Sequence, residues 1–493
     1  MSSSYDVIVV GAGNAALCAA LSAREHGARI LVLERAPAHA RGGNSYFTGG
    51  LVRCPYDGIQ DLRALVPELT DDEAATLELE PYGVEDFYGD IARVTDYQSD
   101  PELASVLATE ARPTLRWMRD QGVRFGLALG RQAFESGGKF RFWGHLPLEI
   151  VGGGVGLVDA LFESATQRGI EVWYDARAKE LVVDEGAVRG VVLRRAGKAV
   201  SLEAGAVVLA SGGFEANPEM RARYLGPDWD VAKVRGTEYN TGDGIAMALA
   251  AGARPYGHWS GCHAVAWDAN APATGDRKVG DGFQKHSYPF GIMVNKLGRR
   301  FVDEGADFRN YTYAKYGKEI LRQPDRVAFQ IFDAKVSHLL RDEYRIAEVT
   351  RAEAGTIEEL ATELEIAAEP FARTVAEFNA AVADTAFDPT VLDGKGTVGI
   401  DPPKSNWAQP IDRPPYLGFA VTCGITFTFG GLQIDDDARV MDTDGEPIPS
   451  LFAAGELVGG LFYHNYPGGS GLTSGAVFGR IAGRSAAKRA GTA

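Results

Sequence analysis

The chain has 493 residues, of which 45% are hydrophobic and 24% are charged, a composition that excludes collagen, coiled coils and disordered proteins. Its 50 basic and 66 acidic residues give a formal net charge of −16, which disfavours binding to nucleic acids or anionic membranes. No apolar run reaches the ~18 residues of a membrane-spanning helix. We therefore expect a folded protein of about two or three structural units without an integral membrane segment.

The cysteines carry little chemistry of their own. The four residues lack the spacing of a metal site, a haem attachment site or an iron–sulfur cluster, and no disulfide framework is apparent. Free cysteines are typical of a reducing compartment. The sequence therefore predicts a cytoplasmic protein without a metal site.

The N-terminal segment predicts a strand, a glycine-rich turn, a helix and a second strand. The first strand is Tyr5–Val10, the turn GAGNAA covers residues 11–16, and the second strand ends at Glu34. In such a turn Gly11 permits a tight bend, and Gly13 lets main-chain N–H groups approach a pyrophosphate at the helix N-terminus. A carboxylate at the end of the second strand accepts hydrogen bonds from ribose hydroxyls. Together these features predict dinucleotide binding.

A second glycine-rich turn, RGGNSYFTGG, covers residues 41–50 shortly after Glu34. A third glycine run precedes the last helix of the chain. Both runs favour FAD over a nicotinamide as the dinucleotide. Arg41 is either a phosphate ligand or a solvated loop residue.

The rest of the chain predicts one nucleotide domain that is split by an inserted domain. The segments between Val172 and Arg194 alternate like an antiparallel meander. The middle of the chain is richer in aromatic residues and histidine, and it carries a helical stretch over 354–383 that Pro370 should interrupt. We place an FAD-binding domain at 1–258 and 425–493, and a capping or substrate domain at 259–424.

A series of motifs carries a resemblance to a known family. In chain order they are GAGNAALCAALSA, RGGNSYFTGG, GGGVGL, VLASGGFEAN, VNKLGRRFVDEG, LFAAGEL and GLTSGAVFGRIAG. This order resembles the fumarate reductase/succinate dehydrogenase-type FAD flavoproteins, and over nearly the whole chain the sequence looks like tricarballylate dehydrogenase. The resemblance implies an α/β fold, a Rossmann-like FAD-binding domain of the glutathione-reductase type interrupted by an α+β capping domain.

The resemblance also implies how the cofactor is bound and used. The family transfers a hydride between FAD and a carbon near an electron-withdrawing carbonyl, and a proton at the neighbouring carbon. Members with covalent FAD carry histidine where this chain has Gly43, so non-covalent FAD is expected. The turns and the resemblance together give the expected FAD-binding residues: Gly11, Gly13, Asn14, Ala15, Glu34, Arg35, Arg41, Gly42, Gly43, Asn44, Ser45, Gly49, Gly50, Ala178, Ser211, Gly212, Gly213, Gly455, Glu456, Ser470, Gly471 and Leu472.

The chain departs from fumarate reductases at two substrate positions. The segment 426–431 lacks the family's histidine, and Tyr466 stands where the second arginine is expected. The sequence around Tyr466 instead resembles 3-ketosteroid dehydrogenases, in which the matching tyrosine and a main-chain N–H bind the ketone oxygen. A phenol donor there stabilises the enolate that forms when an α-proton leaves. The alternative is a tyrosine that only packs at the turn.

The candidate proton carriers lie after the RRFVDE motif. Arg309 and Tyr311 are both candidates, because the resembled families place an arginine or a tyrosine here. Arg309 is alternatively a carboxylate clamp or a partner of nearby acidic residues, and Tyr311 is alternatively part of the cap core. His263 stands where the family has a substrate-contacting histidine. Weaker candidates are His286, Tyr288, His464 and Tyr46, and we expect Asp243 only to cap a helix.

These observations favour an enzyme that desaturates, or reduces, the α,β carbon–carbon bond next to a carbonyl. A cyclic ketone, an oxo-cycloalkane carboxylate or a ketosteroid-like compound fits Tyr466 best. The alternatives are a tricarballylate-type carboxylate dehydrogenase, a fumarate-like ene reductase and a non-catalytic flavin redox sensor. Because the chain has no haem or iron–sulfur ligands, we expect electrons to pass to O₂, a quinone or a separate redox protein.

Overall fold

The structure, a computed structural model, describes residues 5–492, so residues 1–4 and 493 of the predicted FAD-binding domain lie outside the described residues. The strands are β1 (Tyr5–Val10), β2 (Ile30–Leu33), β3 (Leu51–Val52), β4 (Phe125–Leu127), β5 (Ala133–Ser136), β6 (Lys139–Phe142), β7 (Leu148–Ile150), β8 (Glu171–Trp173), β9 (Arg177–Asp184), β10 (Ala187–Arg195), β11 (Lys198–Leu209), β12 (Lys233–Val234), β13 (Pro255–Asp268), β14 (Ile292–Asn295), β15 (Ala328–Phe332), β16 (Arg351–Ala354), β17 (Tyr416–Leu432), β18 (Arg439–Met441) and β19 (Pro447–Ala453). The α-helices are α1 (Asn14–Glu25), α2 (Ile59–Leu65), α3 (Asp71–Ala75), α4 (Val84–Val94), α5 (Pro101–Asp120), α6 (Leu129–Gln132), α7 (Gly153–Gln167), α8 (Pro218–Tyr224), α9 (Asp243–Ala250), α10 (Tyr313–Leu321), α11 (Ile357–Glu363), α12 (Ala368–Ala381) and α13 (Ser470–Arg489).

The first sheet is built around β1, with the order β18-β19-β11-β1-β2-β8. Its central strands are parallel, and β1 is buried on both faces, as expected where helices cover both sides of a sheet. Helix α13 packs closely on α1, because a Cβ at Gly483 would lie only 2.1 Å from the carbonyl oxygen of Ala19. The predicted Rossmann-like FAD-binding fold is therefore confirmed.

One strand assignment from the sequence is wrong. The segment from Val172 was expected to open an antiparallel meander, but β8 pairs in parallel with β2 at the edge of the first sheet, with Val32 opposite Val172. Only β9, β10 and β11 form the meander. Both arrangements share the same apolar alternation, which therefore did not distinguish them.

The second sheet forms the cap. Its long strands β13 and β17 also extend into the FAD-binding part of the chain. They pair in antiparallel fashion from Pro255 opposite Leu432 to Asp268 opposite Val421, with an irregularity between His258 and Cys262. The predicted domain boundaries at 258/259 and 424/425 fall inside these strands. The two parts of the molecule are thus joined through continuous hydrogen-bonded strands.

The predicted interruption of the cap helix has a different origin from the one expected. Helix α11 ends before Leu364 and α12 begins at Ala368, so the break precedes Pro370. Pro370 lies in the first turn of α12, where no intrahelical N–H bond is lost. Among residues 5–492, no helix has both the length and the apolar content needed to cross a membrane.

The segment between β3 and β7 belongs to the FAD-binding part of the chain and contacts the cap. Its Trp143 stacks on Trp407 of the cap, with ring centroids 4.9 Å apart, and also contacts Phe290 and Phe308. These ring contacts fix the segment to the cap.

Candidate active site

One cavity runs from the β1–α1 turn to the inner face of the cap. Residues from the FAD-binding part and from the cap both line it, so one continuous space connects the two. The turn residues Gly11 to Ala15 line one end, and His263, His286 and Tyr313 line the other.

The β1–α1 turn has the geometry that the sequence predicts. Gly11 has a φ of +110°, and a Cβ there would lie 2.3 Å from the carbonyl oxygen of Ala210. The N–H of Asn14 donates to Ser45 Oγ at 3.0 Å, and its side-chain amide donates to the carbonyl of Leu472 at 2.8 Å. These bonds hold the start of α1 against the second glycine-rich turn and α13. The N-terminus of α1 therefore faces the cavity as a preformed anion-binding end.

An acidic and a basic group follow the second strand. Glu34 is buried, its Oε1 accepts the N–H of Ala36 at 2.7 Å, and burial raises its pKa to about 7. Arg35 lies 3.2 Å from Asp243 Oδ2, and Arg177 donates to both oxygens of that carboxylate at 2.7 and 2.8 Å. The N-cap of α9 is Gly242, so Asp243 does not cap the helix as expected, and its carboxylate instead pairs with the two arginines and lines the cavity.

Most of the expected FAD-binding residues line this cavity. They are Gly11, Gly13, Asn14, Ala15, Glu34, Arg35, Gly43, Asn44, Ser45, Gly49, Ala178, Ser211, Gly212, Gly455, Glu456, Gly471 and Leu472. Five do not line it, namely Arg41, Gly42, Gly50, Gly213 and Ser470. The Arg41 guanidinium instead pairs with Asp159 at 3.5 Å and lies over the ring of Phe162, and the Ser470 hydroxyl donates to the carbonyl of Pro467.

Two tyrosines form the polar centre of the cap end. The hydroxyl of Tyr466, just before α13, is hydrogen-bonded to the hydroxyl of Tyr313, the first residue of α10. Phe427 and Phe462 pack against the Tyr466 ring at 5.3 and 5.4 Å between centroids. Burial raises the pKa of both phenols above the ordinary value, so both remain protonated donors.

Tyr311, one of the two candidate proton carriers, is not among the residues that line the cavity. Its hydroxyl donates to Asp90 at 2.6 Å and to the carbonyl of Gly144 at 3.1 Å, and it accepts from Arg53 at 3.3 Å. Tyr313, two residues later, lines the cavity instead. A short 3-10 turn over Arg309–Tyr311 precedes α10, and nothing in the tyrosine-rich segment indicated which ring would point inward.

Two buried histidines flank the tyrosine pair. The ring of His263, 1% exposed, lies 4.8 Å from Tyr466 and 5.0 Å from Tyr313 between centroids. Neither of its ring nitrogens has a partner among the described residues. Burial, together with the charge of Arg235, lowers the pKa of His263 well below its ordinary value, so the imidazole is neutral. His286 lies 4.9 Å from Tyr313 and is also neutral, since burial lowers its pKa well below the ordinary value.

Of the weaker candidates, only His286 lines the cavity. The hydroxyl of Tyr288 is hydrogen-bonded to Thr312 at 2.7 Å, and His464 is exposed and packs on His258. Tyr46 lies under the guanidinium of Arg277. These three residues do not line the cavity.

Arginines supply positive charge to the cap end. Arg309, 3% exposed, donates to the main-chain carbonyl of Arg131 and forms no ion pair among residues 5–492. Burial and the neighbouring charge of Arg341 lower the pKa of Arg309 well below its ordinary value. Arg341 lies 3.0 Å from Glu343, and Arg235 lies 2.6 Å from Asp281. All of these basic side chains line the cavity, which therefore suits an anionic ligand.

Sequence reasoning missed Arg235, Asp281 and Arg341. These residues come from the segment after β12 and from two cap loops, and none belongs to a recognisable motif. Only the folded chain brings them together with Arg309. Among the described residues, no cluster of three or more histidine, cysteine or acidic side chains suits a metal ion.

The comparisons with known proteins agree with this geometry. The family model described as FAD binding domain matches residues 6–472. A probable fumarate reductase of Shewanella frigidimarina is 30% identical over 99% of this chain and 76% of its own length. The 4-oxocyclohexanecarboxylate 2-dehydrogenase of Sinomonas cyclohexanicum is 29% identical over 99% of this chain and 94% of its own.

One solved structure is similar to this chain in fold and in sequence over nearly the whole length of both chains. The crystal structure of 3-ketosteroid Δ4-(5α)-dehydrogenase from Rhodococcus jostii RHA1, in complex with 4-androstene-3,17-dione, is 26% identical and superimposes with a TM-score of 0.71. The match covers 98% of this chain and 97% of that one. The resemblance to tricarballylate dehydrogenase stays a prediction.

The residues present fit FAD. The start of α1 and Glu34 both line the cavity, where they would hold the pyrophosphate and a ribose of FAD, and Gly43 has no side chain to form a covalent link. The family match over nearly the whole chain agrees with this fit. The chain therefore belongs to the family of FAD-binding flavoproteins that includes fumarate reductases and ketosteroid dehydrogenases, and it is an FAD-dependent oxidoreductase that acts on carbon–carbon bonds.

Proposed function

We propose that the enzyme desaturates the carbon–carbon bond next to the carbonyl group of an oxo acid, with an oxo-cycloalkane carboxylate as the best-fitting substrate. The observation that carries this proposal is that one cavity presents two phenols, Tyr313 and Tyr466, together with two guanidinium groups, Arg309 and Arg341. Phenols suit a ketone oxygen and guanidinium groups suit a carboxylate. A substrate with both groups uses both ends of the site.

Tyr466 binds the ketone oxygen. Its phenol stays protonated because burial raises its pKa, and its hydrogen bond with Tyr313 fixes the direction of the donor. A donor aimed at a carbonyl oxygen stabilises the negative charge that develops there when the neighbouring carbon loses a proton. The Tyr466 hydroxyl is then the donor to the ketone oxygen, and the Tyr313 hydroxyl orients the Tyr466 hydroxyl.

His263 accepts the α-proton. The imidazole is neutral, lies next to both phenols and has no partner among the described residues for either ring nitrogen. An unprotonated imidazole is a competent acceptor once the carbonyl is polarised. Bound FAD supplies the acceptor for the hydride from the β-carbon.

Arg309 and Arg341 hold the substrate carboxylate. Arg309 is buried without an acidic partner among the described residues, a state that a bound carboxylate stabilises. The relative from Sinomonas cyclohexanicum, named for 4-oxocyclohexanecarboxylate, supports a substrate that carries both functional groups. For the electrons we propose O₂, a quinone or a separate redox protein as acceptor, and for the protein a cytoplasmic location.

The test is an anaerobic titration of the FAD-loaded enzyme, followed by the visible absorbance of the flavin. 4-Oxocyclohexanecarboxylate is expected to bleach the flavin band and to yield the unsaturated oxo acid. Bleaching by tricarballylate or succinate, with none by the oxo acid, would contradict the proposal and favour carboxylate dehydrogenation.

A second candidate function is reduction of an unsaturated acid by the same site. Arg309 favours it, because a buried guanidinium with a lowered pKa and no acidic partner among the described residues can donate a proton to a substrate carbon. The relative named a probable fumarate reductase supports this direction. Pre-reduced enzyme mixed with an unsaturated acid would then re-oxidise without O₂, and loss of this reaction in Arg309→Lys with retained FAD would assign the proton to Arg309.

A further inference from the structure

Two carboxyl groups meet beside the cofactor end of the cavity, and no role assigned above uses their contact. Glu215 is fully buried, and its Oε1 accepts from the side-chain amides of Asn44 at 2.6 Å and Asn240 at 2.7 Å. The same Asn240 nitrogen lies 3.5 Å from Glu456 Oε2. One amide group therefore bridges the two acids.

Glu456 is the member of the pair that lines the cavity. Its Oε1 accepts the N–H of Thr428 at 2.8 Å and the Thr428 hydroxyl at 3.3 Å. A Cβ at Gly213 would lie 2.2 Å from the same oxygen, so only a glycine at this position leaves room for the Glu456 carboxyl. These contacts hold Glu456 at the cavity wall, whereas Glu215 does not line the cavity.

The pair has no counter-cation. Neither carboxyl forms an ion pair within residues 5–492, and Arg221, the basic group that faces Glu215 from α8, donates to the carbonyls of Ala232 and Asp230. The other titratable groups nearby are the buried thiols of Cys262 and Cys423. Two adjacent carboxylates in such a site do not both stay ionised, because no cation among the described residues offsets their repulsion and desolvation.

An unsatisfied atom indicates where the proton lies. Glu215 Oε2 is buried and accepts no hydrogen bond from any of the described residues. A proton on this atom turns it into a donor toward Glu456. Burial and the charge of Glu456 raise the pKa of Glu215 well above its ordinary value, which agrees with this assignment.

We infer that Glu215 and Glu456 share one proton and form a proton-binding site that takes up a second proton when the bound cofactor is reduced. Hydride transfer moves two electrons and one proton from the substrate to FAD, so the cofactor gains one negative charge. The pair then takes one proton from solvent, and its charge changes from −1 to 0. The site therefore compensates the charge of reduction. This inference rests on the bound cofactor and not on the proposed substrate.

The test is the infrared difference spectrum between the electrochemically reduced and oxidised FAD-loaded protein. We expect a gain of protonated-carboxyl absorbance and a loss of carboxylate absorbance on reduction, shifted when the protein carries ¹³C-labelled glutamate. The double variant Glu215→Gln/Glu456→Gln should lose both features. The reduction potential gives a second readout, since one extra proton per two electrons adds about 30 mV per pH unit to its pH dependence in the wild type.

The control is Glu149→Gln, which removes another carboxyl whose pKa is raised by burial but which does not line the cavity. It should leave the difference spectrum unchanged. Absence of any glutamate signal in the labelled wild type would overturn the inference, as would an unchanged signal in the double variant. If the double variant does not retain FAD, the single variant Glu215→Gln decides, because Glu215 does not line the cavity and its loss should still remove the glutamate signal.

Discussion

The two ends of the cavity are built in different ways. The cofactor end consists of main-chain turns and helix starts, in which glycines at 11 and 13 and the amide groups of α1 face the ligand. The cap end consists of side chains, Tyr313, Tyr466, His263 and Arg309, carried by separate elements. A main-chain site depends on backbone shape, and a side-chain site depends on individual functional groups. Substitutions at the cofactor end should therefore lower FAD affinity, whereas substitutions at the cap end should change the rate or KM of the reaction.

The largest expected effect is at the cofactor end, in Gly11→Ala. The new Cβ would lie 2.3 Å from the carbonyl oxygen of Ala210, so the turn must open. We expect the purified protein to be colourless and to lose FAD affinity by more than about 100-fold, measured by flavin fluorescence quenching.

The matched control is Gly226→Ala. Gly226 has the same φ of +110°, but a Cβ there would meet nothing within 4 Å. This variant carries the backbone strain of about 1–2 kcal/mol without the clash and should bind FAD normally. Equal loss of FAD in both variants would show that strain, rather than the shape of the turn, explains the effect.

The next largest effect is at the cap end, in His263→Ala. Removal of a positioned base typically costs about 10²–10⁴-fold in rate, so flavin reduction should slow by that factor while FAD affinity is retained. Rapid-mixing absorbance measurements with α-deuterated and unlabelled substrate would report the step affected. His258→Ala, which removes a half-buried imidazole outside the cavity, is the control, and an equal slowing in both variants would refute the role of His263.

A smaller effect is expected for Arg341→Gln. A hydrogen bond to a charged group contributes about 1.5–3 kcal/mol, so KM for an oxo acid should rise about 10- to 100-fold with little change in kcat. The same variant should leave a neutral cyclic ketone unaffected. Arg345→Gln, which removes a half-exposed guanidinium paired with Asp342, is the control. Equal loss for the acid and the neutral ketone would contradict carboxylate binding at Arg341.

A separate prediction concerns Glu34 and the pH dependence of stability rather than binding or rate. Burial raises its pKa from 4.5 to about 7 in the folded protein, so its contribution to stability is fully present below pH 4.5 and is lost as the pH rises through 7. Glu34→Gln should therefore stabilise the apoprotein at pH 8 relative to the wild type by on the order of 3 kcal/mol, with little difference at pH 4.5. Denaturant unfolding at both pH values measures this, and a pH-independent difference would contradict the raised pKa.

The contrast between the two ends also explains what the sequence predicted. The Gly11 turn and Glu34 lie within one contiguous segment, in which each residue type has a local reason for its position, so fold and cofactor were predictable. Tyr466 was recognisable from its Tyr-Pro-Gly context. Tyr313 was not, because a 3-10 turn sets which tyrosine points inward, and Arg341 was not, because it reaches the cavity only through tertiary packing.

The most direct test of the proposed chemistry compares three substrates with the wild-type enzyme under anaerobic conditions. They are 4-oxocyclohexanecarboxylate, cyclohexanone and cyclohexanecarboxylate, which carry both functional groups, the ketone alone and the carboxylate alone. We expect rapid flavin reduction by the oxo acid, slow reduction by cyclohexanone at high concentration and none by cyclohexanecarboxylate. Reduction by cyclohexanecarboxylate at the rate of the oxo acid would contradict a ketone bound at Tyr466.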